Sequence, residues 1–139
     1  MRSSSRDRAF VGLGCLALLL GAACGEDLEY APSDCVRSKP DSGTLKVRCT
    51  IDTEYPEVPI TIYVGDFEED QVMLQDTVEI PITLYDLPVD EYYSVAALYT
   101  GGGDTLVVLR GDEISTSSTE YEDATCWSVR GAEVDCRLP

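Results

Sequence analysis

From Cys35 to the C-terminus, apolar residues recur at every second position in short runs separated by turn residues. A period of two puts alternate side chains on opposite faces, which commits such a chain to strands. In LKVRCTI, Leu45, Val47, Cys49 and Ile51 share one face and Lys46, Arg48 and Thr50 the other. PITIYVG repeats the pattern, with Ile60, Ile62 and Val64 opposed to Thr61 and Tyr63. TVEIPITLY sets Val78, Ile80, Ile82 and Leu84 on one face. Its Pro81 has no amide hydrogen, so this strand is expected at a sheet edge or with a bulge. Gly101-Gly102-Gly103-Asp104 links EYYSVAALY to TLVVLR as a hairpin. Two further hairpins are expected, one around Pro40-Asp41-Ser42-Gly43 and one joining ATCWSV to AEVDCRL around Arg130-Gly131. Ser115 to Glu120 reads as a polar connection, and no segment has the period of a long amphipathic helix. Seven or eight strands in about 105 residues is the spacing of an all-β protein, a single antiparallel β-sandwich.

The segment LYDLPVDEYYSVAALY resembles the strand-turn-strand of transthyretin-like and fibronectin-III-like sandwiches. There a Leu-Pro turn leads to a Tyr and then to alternating small and apolar residues. Asp90 stands where those families often use Gly. The resemblance implies an immunoglobulin-like sandwich and carries no function with it.

The N-terminus follows a different logic. Met1 to Arg8 holds three Arg against one Asp, and Ala9 to Ala23 is an apolar run of fifteen residues. That is short of the roughly 20 needed to span a bilayer and has the length of an export-signal core. Gly21-Ala22-Ala23-Cys24 resembles the lipobox of bacterial lipoproteins, with Gly21 where that family more often has Leu. The resemblance implies that Cys24 is acylated and becomes the mature N-terminus. Gly25 rather than Asp at the next position implies retention at the outer membrane, facing the periplasm or the cell surface. Two or three acyl chains, at about 0.8 kcal/mol per buried methylene, hold a domain on a membrane without further contacts. The expected organisation is a signal peptide over 1–23, a lipidated cysteine and flexible tether over 24–34, and a sandwich domain over 35–139.

Cysteine usage agrees with export. Cys15 leaves with the signal, and once Cys24 is set aside as lipid carrier, Cys35, Cys49, Cys126 and Cys136 remain. Four cysteines suit two disulfides in an oxidising compartment. Cys35 and Cys49 flank one expected hairpin and Cys126 and Cys136 the other, so local bridges are the favoured pairing. The main alternative ties the first strand to the last.

Removing residues 1–23 leaves 7 basic and 25 acidic residues, a net charge of −18. Between Arg48 and Arg110 there are 13 acids and no Lys or Arg. Phosphate backbones would be repelled, so nucleic acid is not an expected partner. The chain has no His, which excludes histidine-based triads, general bases and metal sites. Asp66, Glu68, Glu69 and Asp70, and separately Asp52, Glu54 and Glu57, are dense in hard oxygen ligands, yet neither spacing is that of an EF-hand. They read as solvated loops, and neither a metal nor any other cofactor is expected. Arg110-Gly111-Asp112 spells an adhesion tripeptide, and ordinary turn chemistry explains it. If Cys126, Val134 and Cys136 face the core, alternation turns Trp127 outward, and the same logic exposes Tyr63 and Tyr85. These three aromatics are the candidate binding surface.

The expected function is that of a non-enzymatic binding or scaffold module on the cell envelope, docking a partner protein through a sheet face or an edge strand. The alternative is a carbohydrate- or Ca²⁺-binding module. A small carboxylate-based hydrolase would require two acids converging in a cleft. The sequence does not decide the oligomeric state.

Overall fold

A computed structural model describes residues 28–139. Eight strands form two sheets: β1 (Ser42–Arg48), β2 (Val58–Val64), β3 (Val72–Val78), β4 (Ile82–Pro88), β5 (Glu91–Gly101), β6 (Asp104–Glu120), β7 (Thr125–Arg130) and β8 (Ala132–Asp135). The five-stranded sheet has the order β3-β2-β5-β6-β7 and the three-stranded sheet the order β4-β1-β8. The chain is thus an all-β sandwich of eight strands, as the alternation requires. One pairing departs from the antiparallel rule, since β1 and β8 run parallel.

The core lies between the sheets. Leu45 and Val47 on β1 and Val134 on β8 meet Ile62, Val95, Tyr93 and Tyr99 from the larger sheet. Burying tyrosines requires partners for their hydroxyls. Tyr93 donates to the Pro88 carbonyl at 2.7 Å, and Tyr99 donates to the Cys136 carbonyl at 2.8 Å while accepting the Thr50 amide at 2.9 Å.

The Gly101–Asp104 hairpin forms as expected. Gly101 pairs with Asp104, leaving Gly102 and Gly103 as a two-residue loop with φ of 61° and 85°. Such a loop requires left-handed backbone at both positions. Asp90, at the corner between β4 and β5, also has positive φ, 58°. Asp tolerates this conformation because its short side chain bonds locally. Here the carboxylate accepts both the amide and the hydroxyl of Thr116, at 2.9 and 2.8 Å.

Two expected hairpins and one expected strand are instead crossings or open chain. Residues 35–41 do not pair with β1. Val36 bridges to Trp127 on β7, so the segment before β1 sits at the edge of the five-stranded sheet, not in the sheet of β1. TVEIPITLY is two strands, β3 in the large sheet and β4 in the small one, with Glu79–Pro81 carrying the chain between layers. That break inverts the expected faces: Ile80, Ile82 and Leu84 are exposed, while Thr83, Tyr85 and Leu87 turn inward. Likewise β7 and β8 lie in different sheets, and the crossing at Gly131 passes so close to β1 that a Cβ there would sit 2.8 Å from the Thr44 carbonyl oxygen.

The polar stretch Ser115–Glu120 is strand, the second half of a 17-residue β6 that pairs with β7 beyond the end of β5. Its serines and threonines suit a ribbon wet on both faces, and the Ser117 and Ser128 hydroxyls meet across it at 2.7 Å. Arg110-Gly111-Asp112 lies within β6, not at a turn. Asp112 is engaged there, accepting the Glu133 amide at 2.9 Å and the Arg130 guanidinium at 3.1 Å.

Candidate docking edge

The crossings redistribute every cysteine and aromatic that the sequence singles out. Cys24 lies outside the described residues. Cys35 is bonded to Cys126, and Cys49 and Cys136 are buried thiols. The local pairing is therefore corrected: with no hairpin around Pro40–Gly43 and none around Gly131, neither adjacent pair is brought together. The disulfide instead fastens the segment before β1 to β7. Around it, Trp127 donates its amide to the Val36 carbonyl at 2.8 Å, and Ala31 donates its own to Asp123 at 2.9 Å. The described part of the expected tether is thus bonded to the β6–β7 turn.

Trp127, Tyr63 and Tyr85 do not form one platform. Cys126 carries the disulfide on the outer side of the ribbon, so alternation turns Trp127 to the same side as Val129 and Ile114, the reverse of the expected parity. Trp127 is half-buried, with the Lys39 ammonium 5.6 Å from its ring centre. Tyr63 stands on the outer face of the large sheet beside Ser94. Tyr85 points between the sheets and donates to Asp76 at 2.7 Å, and burial together with that carboxylate pushes its phenol above the ordinary range.

A different surface emerges at β4. Cys49 donates its amide to the carbonyl of Pro81, the residue directly opposite it, at 3.0 Å. In an antiparallel ladder bonded and non-bonded pairs alternate. Thr83, Tyr85 and Leu87 therefore bond to β1, whereas Ile82, Leu84 and Asp86 direct their amide and carbonyl groups away from it. Among the described residues no strand pairs with β4 on that side. The side chains along this edge are apolar and wet: Ile80, Ile82 and Leu84 are 58%, 42% and 63% exposed.

The other three edges are blunted. At β8, Asp112 takes the Glu133 amide. At β7, Val36 takes the Trp127 amide. At β3, a bulge falls between Ile62 and Tyr63 of its partner strand, and the Thr77 amide is held by the adjacent Asp76 carboxylate at 2.8 Å. Covering, bulging and charging are the usual means by which an edge is kept from pairing. The β4 edge has none of them along Ile82–Tyr85, and the one charged residue in β4 is Asp86.

Beside it, a cleft of about 260 Å³ opens between β3 and β4, lined by Asp76, Thr77, Val78, Glu79, Ile80 and Thr83. The Thr83 hydroxyl is buried there without a hydrogen-bond partner. Buried polar groups are rarely left so. The charges around the cleft are Asp76 and Glu79, with Asp86 farther along the edge. Lys46 and Arg48, opposite Leu84 and Ile82 on β1, are engaged by Glu133 at 3.8 and 2.5 Å. The Arg48 contact and its neighbours hold the Glu133 carboxyl below its usual range.

At the far end, a shallow depression of about 410 Å³ is bounded by Thr50, Val108, Arg110, Asp135, Arg137, Leu138 and Pro139. Its one acidic side chain, Asp135, is clamped by Arg137 at 2.6 Å and lowered to about 2 by that contact. Among the described residues no three Asp, Glu or Cys side chains converge as a metal site. Within the acidic loops, Asp52 caps its own turn, accepting the amides of Glu54 and Tyr55.

Compared with family models, curated proteins and solved structures, the chain finds no match. The residues themselves carry what can be argued about its function. Periodicity alone misplaced the exposed apolar row on β4, because it treats 77–85 as one strand. Pro81 was the available signal that the run is broken.

Proposed function

We propose that this chain is a non-catalytic docking module of the bacterial cell envelope, held at the outer membrane through an acylated Cys24, whose β4 edge takes up an extended segment of a partner protein. The observation that carries the reading is the open β4 edge, where Ile82 and Leu84 are exposed and their strand side is unpaired among the described residues, in a sandwich whose other edges are blunted. Strand addition supplies main-chain hydrogen bonds for affinity, and alternate side-chain contacts supply specificity. The row Ile80, Ile82 and Leu84 suits a segment with apolar residues at alternate positions. The acids Asp76, Glu79 and Asp86 suit Lys or Arg on the same segment, with one basic side chain entering the cleft beside Thr83. A second copy of this acidic chain would bring like charges together along the edge, which disfavours self-pairing.

The lipid anchor is supported by the leader, the Gly21–Cys24 motif and the removal of Cys24 from an otherwise odd cysteine count. The test is photocrosslinking in living cells with a photoreactive residue in place of Ile82. A discrete protein adduct, lost when Leu84 is changed to Pro in the same chain, is the expected result. An adduct pattern that ignores Leu84→Pro, or no adduct from a chain present in the membrane fraction, would sink the docking claim.

A further inference from the structure

Cys49 and Cys136 are the two described cysteines outside the Cys35–Cys126 bond, and the fold sets them side by side. The parallel register of β1 and β8 pairs Val47 with Val134 and Arg48 with Asp135. The Cys136 amide donates to the Arg48 carbonyl at 2.8 Å, which carries the pairing one step further and leaves Cys136 opposite Cys49. Alternation turns both side chains into the core, where they are 2% and 0% exposed. Paired strands lie about 4.8 Å apart, within the Cα separations of about 4.4–6.8 Å that disulfides span.

We propose that Cys49 and Cys136 form a second disulfide, joining Cys49 just after β1 to Cys136 just after β8 and interleaved in sequence with the first. The inference rests on the export reading above, because an exported chain meets an oxidising compartment. It gives an even pairing of the four domain cysteines with no thiol left over.

The chemistry requires an oxidant of the disulfide class, either a dithiol–disulfide oxidase or a small-molecule disulfide. One cysteine, as thiolate, attacks a sulfur of that disulfide, releasing one oxidant thiolate and leaving a mixed disulfide. The other thiolate then attacks the protein sulfur of the mixed bond and displaces the second oxidant thiolate. The two protein thiols lose two protons and two electrons, and the oxidant's disulfide ends as two thiols. Burial raises both thiols in the closed core, Cys136 to about 12, so thiolate is scarce once the sandwich has closed. The exchange therefore takes place while β8 is still seating against β1.

The test uses the full chain carrying Cys15→Ala and Cys24→Ala, so that the domain cysteines alone remain. It is unfolded, reduced and refolded in mixed oxidised and reduced glutathione, then denatured without reductant, alkylated and mapped by mass spectrometry. Linked Cys49–Cys136 and Cys35–Cys126 peptides, with no alkylated cysteine, are expected. Alkylation of both Cys49 and Cys136 in chains that do carry Cys35–Cys126 overturns the proposal, and so does a link from Cys49 to Cys35 or Cys126. The unsubstituted chain is mapped in parallel from cells. If it is cytosolic with its thiols reduced while the refolded chain is bridged, the pairing is supported and export alone fails.

Discussion

Proline at two adjacent positions of β4 separates the bonded side of this strand from the open one. By the ladder alternation, the Thr83 amide points to the carbonyl of Val47, a residue 1% exposed. Thr83→Pro deletes that donor, strands a buried carbonyl and wedges a ring against β1. An unmade buried hydrogen bond costs about 1–3 kcal/mol, so with the steric contribution the loss should be on the order of 2–4 kcal/mol. The Leu84 amide points to solvent and its side chain is 63% exposed. Leu84→Pro removes no internal bond, and proline is accommodated on edge strands in this orientation, so a change below about 1 kcal/mol is expected. Urea unfolding followed by tryptophan fluorescence reads the difference. With a slope of about 2 kcal/mol/M, Thr83→Pro should lower the midpoint by about 1–2 M and Leu84→Pro by less than about 0.5 M. Equal losses, or the reverse order, would show that the ladder has the opposite parity. The backbone groups of Ile82, Leu84 and Asp86 would then not be free, and the docking edge would disappear with them.

Further tests address the core, the acid dependence and the anchor. Tyr99→Phe orphans the Thr50 amide and the Cys136 carbonyl together, whereas Tyr93→Phe orphans the Pro88 carbonyl alone. Losses of about 2–4 and about 1 kcal/mol are expected, and a Tyr99→Phe loss no larger than that of Tyr93→Phe would contradict the two-partner geometry. The Asp90 carboxyl is lowered from 3.8 to about 2 by its bond to Lys39, with Thr116 adding to the effect. A depressed carboxylate stabilises the fold above its unfolded pKa and ceases to do so as pH falls through the folded one. The stability difference between wild type and Asp90→Asn should therefore be complete above about pH 4 and shrink towards pH 2. A difference independent of pH would assign the effect of Asp90 to its backbone conformation instead. Cys24→Ala should move the protein from the membrane fraction to the soluble one, and retention in the membrane would refute acylation at that position.

The residues differ in how much they disclosed in advance. Leu45, Val47, Ile60 and Ile62 alternate within unbroken strands, and their burial followed from the period alone. Gly102 and Gly103 announced their turn because few other residues accept two successive positive φ angles. Ser115–Glu120 did not announce itself, since a ribbon exposed on both faces has no apolar side to alternate. The open edge was hidden for a related reason. A crossing between sheets at Glu79–Pro81 inverts the faces of everything after it, and only Pro81 marks the place.

Local properties are settled by the sequence alone. Backbone sterics and the two-residue period make these segments strands. Which strands become neighbours is a matter of long-range packing. Cys35 lies 91 residues from Cys126 and is bonded to it, while the nearer Cys49 is not its partner. Trp127 faces Lys39, and Leu84 faces water. These outcomes depend on how two twisted sheets bury their apolar faces against each other, and pairing across layers leaves no period in the chain to read.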